Sequence, residues 1–277
     1  MLLTLLLVIL LAYAGWLVLL FLAQDVLLFP RHVLGAQTLP EAPVGFTEWT
    51  ISTEEGSVHA WFLPGAGCGE GSDCGTVVML HGNGMVIDAW IGEASWFAAR
   101  GWNVLLPEFR GYGRAEGRPS EPALRSDTVE FIDRLRDEPG VDADRLVLYG
   151  RSIGGALAAQ VARDRRPVGM ILQTPPSSIS DMAWRYGAPP FLVRNRFDTV
   201  SALEEVGTVP TLLLEHDADQ VIPAAQSARI RRAAPHARHV LLKGDHNVLA
   251  DPMEENRFLD ALSVFLEECA ARTPVDR

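Results

Sequence analysis

Apolar and polar positions divide the chain into two unlike parts. Residues 1–23 contain no charged side chain, and fifteen of them, from Leu2 to Leu22, are Leu, Ile, Val or Phe. As a helix rising about 1.5 Å per residue, the run reaches roughly 34 Å, enough for a hydrocarbon core. At about 0.3 to 0.6 kcal/mol per large apolar residue, insertion is favoured by roughly 5 to 9 kcal/mol, against smaller costs at Tyr13, Gly15 and Gln24. Residues 1–23 are therefore expected to be a transmembrane anchor, followed by a linker over residues 24–44. A cleaved secretory signal ending at Ala12-Tyr13-Ala14 is the competing reading. Against it, no Lys or Arg follows Met1, and the apolar run continues through Trp16-Leu17-Val18-Leu19-Leu20-Phe21.

Beyond residue 45 the pattern shortens to strand-length apolar runs separated by turn residues and helix-forming stretches. Residues 46–52 and 57–63 read as paired strands around Glu54-Glu55-Gly56, and residues 76–80 and 103–106 as further strands. A helix is expected from Glu121 to about Asp137, then strands over 145–148, 168–172, 210–214 and 239–242. Their Val, Ile and Leu runs lack alternation, as in a sheet covered on both faces. Strand and helix patterns continue without a linker-like gap, so residues 45–272 are expected to form one α/β domain. About 35 residues separate the strands at 168–172 and 210–214. They leave room for a short lid, with residues 179–184 and 189–193 offering apolar helical turns over a pocket, or ordinary packing at Trp184 and Phe191.

The formal net charge of -11 and a pI near 5.1 argue against a nucleic-acid partner, since phosphate binding depends on clustered Lys and Arg. No Cys/His cluster has zinc spacing, and neither a P-loop nor a dinucleotide fingerprint occurs, so neither a metal nor a nucleotide cofactor is expected.

The candidate chemistry centres on Tyr149-Gly150-Arg151-Ser152-Ile153-Gly154-Gly155, where an apolar strand runs directly into a small-residue helix. A Gly-x-Ser-x-Gly match in that context reads as a nucleophile elbow, with Gly150 and Gly154 required because the two backbones nearly touch. A serine hydroxyl is a weak nucleophile and needs a His to take its proton and a carboxylate to orient that His. Downstream, one strand runs into the acidic loop Glu215-His216-Asp217-Ala218-Asp219-Gln220-Val221-Ile222-Pro223, and another ends in Gly244-Asp245-His246-Asn247.

With His81-Gly82-Asn83-Gly84, Arg110-Gly111-Tyr112-Gly113 followed by Gly117 and Pro119-Ser120-Glu121, the elbow and these two loops, the chain resembles the α/β-hydrolase superfamily. The closest pattern is that of its small, single-pass membrane-anchored serine hydrolases. The resemblance implies an α/β-hydrolase fold, with a mostly parallel central sheet, helices on both faces and a short lid insertion, preceded here by the N-terminal transmembrane helix. It implies catalysis by Ser152, His246 and Asp219, with Asp217 the alternative acid, and an oxyanion hole made by the backbone N–H groups of Ile153 and Asn83. Family members commonly carry Asp where this chain has Glu108, a departure that bears on local packing and substrate contacts. The implied reaction is hydrolysis of an ester or thioester, of a small-molecule or lipid-like acyl substrate, through an acyl-enzyme on Ser152. A serine peptidase of related fold and a non-catalytic, membrane-tethered binding module are the alternatives. Oligomeric state is not encoded in any motif.

The remaining histidines and cysteines receive other readings. His81 is expected to shape the oxyanion loop, His216 to lie beside the acid without acting as the base, and His32, His59, His236 and His239 to be surface or strand residues. Cys68 and Cys74 bracket a Gly-rich loop compatible with a small disulfide, which would imply an oxidising, extracytoplasmic side, or with two independent thiols. Cys269 is expected to be a partly buried thiol on the C-terminal helix.

Overall fold

The computed structural model describes residues 1–31, 41–69 and 71–272. Eight strands form one sheet: β1 (Thr47–Thr53), β2 (Gly56–Leu63), β3 (Cys74–Leu80), β4 (Asn103–Pro107), β5 (Val141–Arg151), β6 (Gly169–Gln173), β7 (Thr211–His216) and β8 (Arg238–Leu242). Their spatial order is β1-β2-β4-β3-β5-β6-β7-β8. The hairpin β1–β2 is antiparallel and β2 pairs antiparallel with β4; every other neighbouring pair is parallel.

Burial follows this order. Every residue of β4, β6 and β7 is buried, which is why their sequences lack alternation, whereas the edge strands β1 and β8 keep exposed positions. Strand β5 starts earlier than its apolar run suggests, because Val141 pairs with Cys74 before a register shift.

The helices are α1 (Leu2–Leu28), α2 (Ile91–Ala98), α3 (Glu121–Arg134), α4 (Ile153–Val161), α5 (Ile179–Ala183), α6 (Thr199–Val206), α7 (Ala224–Ala233) and α8 (Pro252–Ala270). Trp90 and Phe97 beside and within α2 pack with Phe258, Leu262 and Phe265 of α8 against one face of the sheet. Leu124 and Phe131 of α3, Leu157 of α4, Leu203 of α6 and Ile230 of α7 cover the other. Helix α3 starts where expected because the Ser120 hydroxyl accepts the Ala123 N–H at 3.3 Å, and its last turn tightens into a 3₁₀ turn ending at Asp137.

Two boundaries depart from the sequence reading. Helix α1 does not stop at residue 23; it runs five residues into the expected linker, and Phe29 beyond it is buried edge-to-face against Phe197. Residues 32–40 of that linker, with His32, lie outside the described residues. In the lid, α5 continues as a 3₁₀ turn over Trp184–Tyr186 and is followed by another over Pro190–Leu192. The expected apolar turns over a pocket are present, with Ile179, Met182 and Leu192 lining it, but the packing reading of the aromatics fails: Trp184 is 59% and Phe191 83% exposed, so both face away from the pocket and from the core. Cys68 and Cys74 form a disulfide, and Cys269 is wholly rather than partly buried, under β6.

Candidate active site

The end of β5 and the start of α4 meet at Ser152 in a turn so tight that its backbone has φ +53° and ψ -121°, a conformation rare for a residue with a side chain. A Cβ on Gly150 would lie 2.1 Å from the Gly154 carbonyl oxygen, and one on Gly154 would lie 2.1 Å from that of Leu80. Glycine is therefore obligatory at both positions for the steric reason its spacing suggests.

Three residues far apart in sequence meet here. His246 Nε2 is 3.0 Å from Ser152 Oγ, and His246 Nδ1 is 2.7 Å from Asp219 Oδ2. Burial alone would raise the Asp219 pKa, but the bond from His246 and those from the N–H groups of Ile222 and Val221 outweigh it and hold the carboxyl below its ordinary range. Asp217 lies elsewhere: its Oδ1 accepts the Gly244 N–H at 3.1 Å and braces the loop that carries His246. His216 also points away, with Nδ1 on the Asp245 carbonyl and Nε2 near the Gln173 amide. Its pKa is lowered chiefly by burial.

Ile153 is the first residue of α4, so its N–H has no intrahelical partner and lies at the positive end of the helix beside Ser152. Asn83 follows β3 and lines the same cavity as Ser152, Ile153 and His246. Its Oδ1 accepts the Tyr112 hydroxyl at 2.6 Å, and its amide donates to the Leu28 carbonyl. Behind this loop His81 Nδ1 contacts the Gly82 carbonyl at 2.9 Å, and Nε2 lies 2.8 Å from Glu108 Oε1. Glu108 also accepts the N–H groups of Ile87 and Phe109. The Glu in place of the family's usual Asp is thus a buried brace for the His81 loop, and no part of it lines the cavity.

Two parts of this site escaped the sequence reading. Arg151 Nη2 donates to the carbonyls of His246 at 3.1 Å and Asn247 at 2.6 Å, fastening the histidine loop to the serine turn. The only sequence sign was a basic residue in the second position of the Gly-x-Ser-x-Gly match. The second part is α1, which lines the cavity with Leu17, Leu20, Phe21, Gln24, Leu27 and Leu28. The cavity measures about 530 Å³, within the range of small-molecule sites, and Ile179, Met182 and Leu192 of the lid stand across it. Among the described residues no group of three or more His, Cys, Asp or Glu side chains could hold a metal ion.

The fold agrees with what known proteins show. Residues 77–204 match the model of the alpha/beta hydrolase family. The YfhR protein of Salmonella typhi is 29% identical over 262 residues, covering 87% of this chain and 90% of its own length. Protein Rv2307c of Mycobacterium tuberculosis is 31% identical over 228 residues, 79% of each. Among solved structures, the acylaminoacyl peptidase of Pyrococcus horikoshii superposes with a TM-score of 0.68 at 15% identity, over 84% of this chain and 43% of that one. The chain belongs to the alpha/beta hydrolase family.

Proposed function

We propose that this hydrolase is membrane-anchored and cleaves carboxylic esters or thioesters of lipid-like or acylated substrates through an acyl-enzyme on Ser152. The observation that carries the reading is the continuous contact from Ser152 Oγ through the His246 ring to Asp219. With Asp219 ionised, the Nδ1 proton of His246 faces the carboxylate and Nε2 is free to accept the Ser152 proton as Oγ bonds to the acyl carbon. The same proton then passes to the departing alkoxide or thiolate as its bond to the acyl carbon breaks. A water molecule, deprotonated by His246, attacks the acyl-enzyme, releases the carboxylic acid and restores Ser152. The oxyanion is held by the N–H groups of Ile153 and Asn83, each worth about 3 kcal/mol in the transition state.

The apolar lining of the cavity favours an acyl chain over a peptide. Helix α1, 27 residues long, is the one described helix long and apolar enough to cross a bilayer. The Cys68–Cys74 disulfide supports an extracytoplasmic position for the hydrolase domain. The test is labelling by a fluorophosphonate probe, with wild type and Ser152→Ala compared, followed by a panel of esters, thioesters and peptide amides. Labelling that persists without Ser152, or turnover confined to amides, would overturn the reading.

A further inference from the structure

The half-buried positions on the lower part of α1 include Leu17, Leu20, Gln24 and Leu28, spaced three, four and four residues apart. That is one face of a helix, and all four residues line the cavity holding Ser152 and His246. Polar contacts fix this face in place. The Tyr13 hydroxyl donates to the Gly187 carbonyl at 2.8 Å, and Trp16 Nε1 to that of Tyr186 at 2.9 Å. The Gln24 side chain accepts the Arg194 N–H at 2.8 Å and donates to the Leu192 carbonyl at 3.3 Å, while Asp25 pairs with Arg194 at 3.0 Å. The two most polar residues of an otherwise apolar helix are thus both used to seat it on the lid.

Depth follows from length. A helix of 27 residues extends about 40 Å, but only residues 2–12, about 16 Å, lie above the first lid contact at Tyr13. A hydrocarbon core is about 30 Å thick. If α1 spans it, the lid edge at Tyr186 and Gly187 is carried into the same leaflet, and the cleft between lid and helix opens toward acyl chains rather than toward water. The exposed Trp184 and Tyr186 on that edge are of the residue type that settles at a membrane boundary, and the exposed Phe191 adds an apolar ring beside them. From Leu28, beside the Asn83 loop, up to Leu17 the wall is about 16 Å long, the dimension of a long acyl chain.

We infer that α1 is one wall of the acyl-binding site, so that the anchor's own Leu17 and Leu20 set which acyl lengths are cleaved, on chains entering along the helix from the bilayer. The inference rests on Ser152 being the nucleophile for an acyl substrate. It is tested with full-length protein in phosphatidylcholine vesicles and p-nitrophenyl esters graded from acetyl to palmitoyl. Leu17→Trp and Leu20→Trp should each lower the palmitoyl-to-acetyl ratio of kcat/KM about tenfold, the scale of a few methylene contacts in an apolar pocket. Leu22→Trp, on the exposed side of the helix, should leave the ratio at its wild-type value.

A palmitoyl-length fluorophosphonate with a terminal diazirine supplies a readout on wild type that no variant's folding can confuse. After reaction at Ser152, illumination should join the probe to a peptide within residues 17–28. Cross-links found only within residues 41–272, or ratios unchanged in both pocket variants while they still react with the probe, would overturn the inference. A wild-type protein that no fluorophosphonate labels would overturn the nucleophile assignment itself, an outcome distinct from either.

Discussion

The side-chain amide of Asn83 donates to the main-chain carbonyl of Leu28, joining the loop after β3 to the last turn of the N-terminal helix. Leu28 is at a helix end, where carbonyls lack intrahelical partners, so the bond satisfies the helix while it positions the loop. Asn83→Ala keeps the backbone N–H but frees both this carbonyl and the Tyr112 hydroxyl. It should lower kcat about tenfold with a smaller change in KM, as loss of a transition-state contact does. Steady-state kinetics on a short-chain ester would show it; an effect on KM alone would argue for a role in substrate binding instead.

Ser152→Ala should reduce kcat by about 10⁴ or more while leaving the thermal transition near the wild-type value, since the hydroxyl contributes little to packing. Asp219→Asn should be nearly as damaging, because an amide presents the wrong partner to the His246 ring. Asp217→Asn should be milder, since the side chain it alters touches the Gly244 N–H and not the imidazole. Kinetics on the three variants check the order, and a reversal of the two Asp variants would reassign the acid.

Asp219 also makes stability depend on pH. Its carboxyl titrates below the ordinary value in the folded protein, so it contributes stability that is fully present above the unfolded value and lost as pH falls through the folded one. The Tm difference between wild type and Asp219→Asn should therefore be largest near neutrality and shrink as pH is lowered toward about 3. A constant difference across that range would show that the carboxylate charge is not what the fold responds to.

Thiol chemistry separates the three cysteines. Burial pushes the Cys269 thiol up to about 12, and Cys68 and Cys74 are bonded to each other. Native protein should therefore take up no iodoacetamide at about pH 8, reduced native protein two equivalents, and reduced unfolded protein three. Mass spectrometry counts them directly. Two equivalents without reduction would mean that the Cys68–Cys74 loop is open.

A methyl group at Gly154 would meet the Leu80 carbonyl oxygen at 2.1 Å, which is main chain and cannot swing aside. Gly154→Ala should cost about 3 kcal/mol or more and reduce soluble expression. Wild-type denaturant stability for this variant would mean that the turn between β5 and α4 is looser than its geometry indicates.

What the sequence disclosed of this arrangement depended on whether the signal was local. Strands β4, β6 and β7 were legible because both faces are covered and their centres are unbroken runs of Val, Ile, Leu or Met, and the serine turn because only Gly fits on either side of it. Chain position alone does not separate Asp217 from Asp219, since both follow β7 within three residues; in the fold it is Asp219 that the His246 ring lies against. The seat of α1 on the lid was invisible for another reason. Most of the groups that Tyr13, Trp16 and Gln24 touch are main-chain carbonyls and an N–H some 170 residues away, and such groups leave no mark in residue type. Trp184 and Phe191 look like core residues by composition alone, and only the path of the lid shows that they face outward.

Arg151 and Ser152 are chain neighbours, yet the guanidinium of Arg151 grips the main chain at His246 and Asn247 across some 95 residues. Any sway of the segment after β8, at the exposed rim of the sheet, is thereby transmitted to the serine turn as well. The proposed nucleophile and base are tied into one frame, and the tie opposes any displacement that would pull their 3.0 Å contact apart.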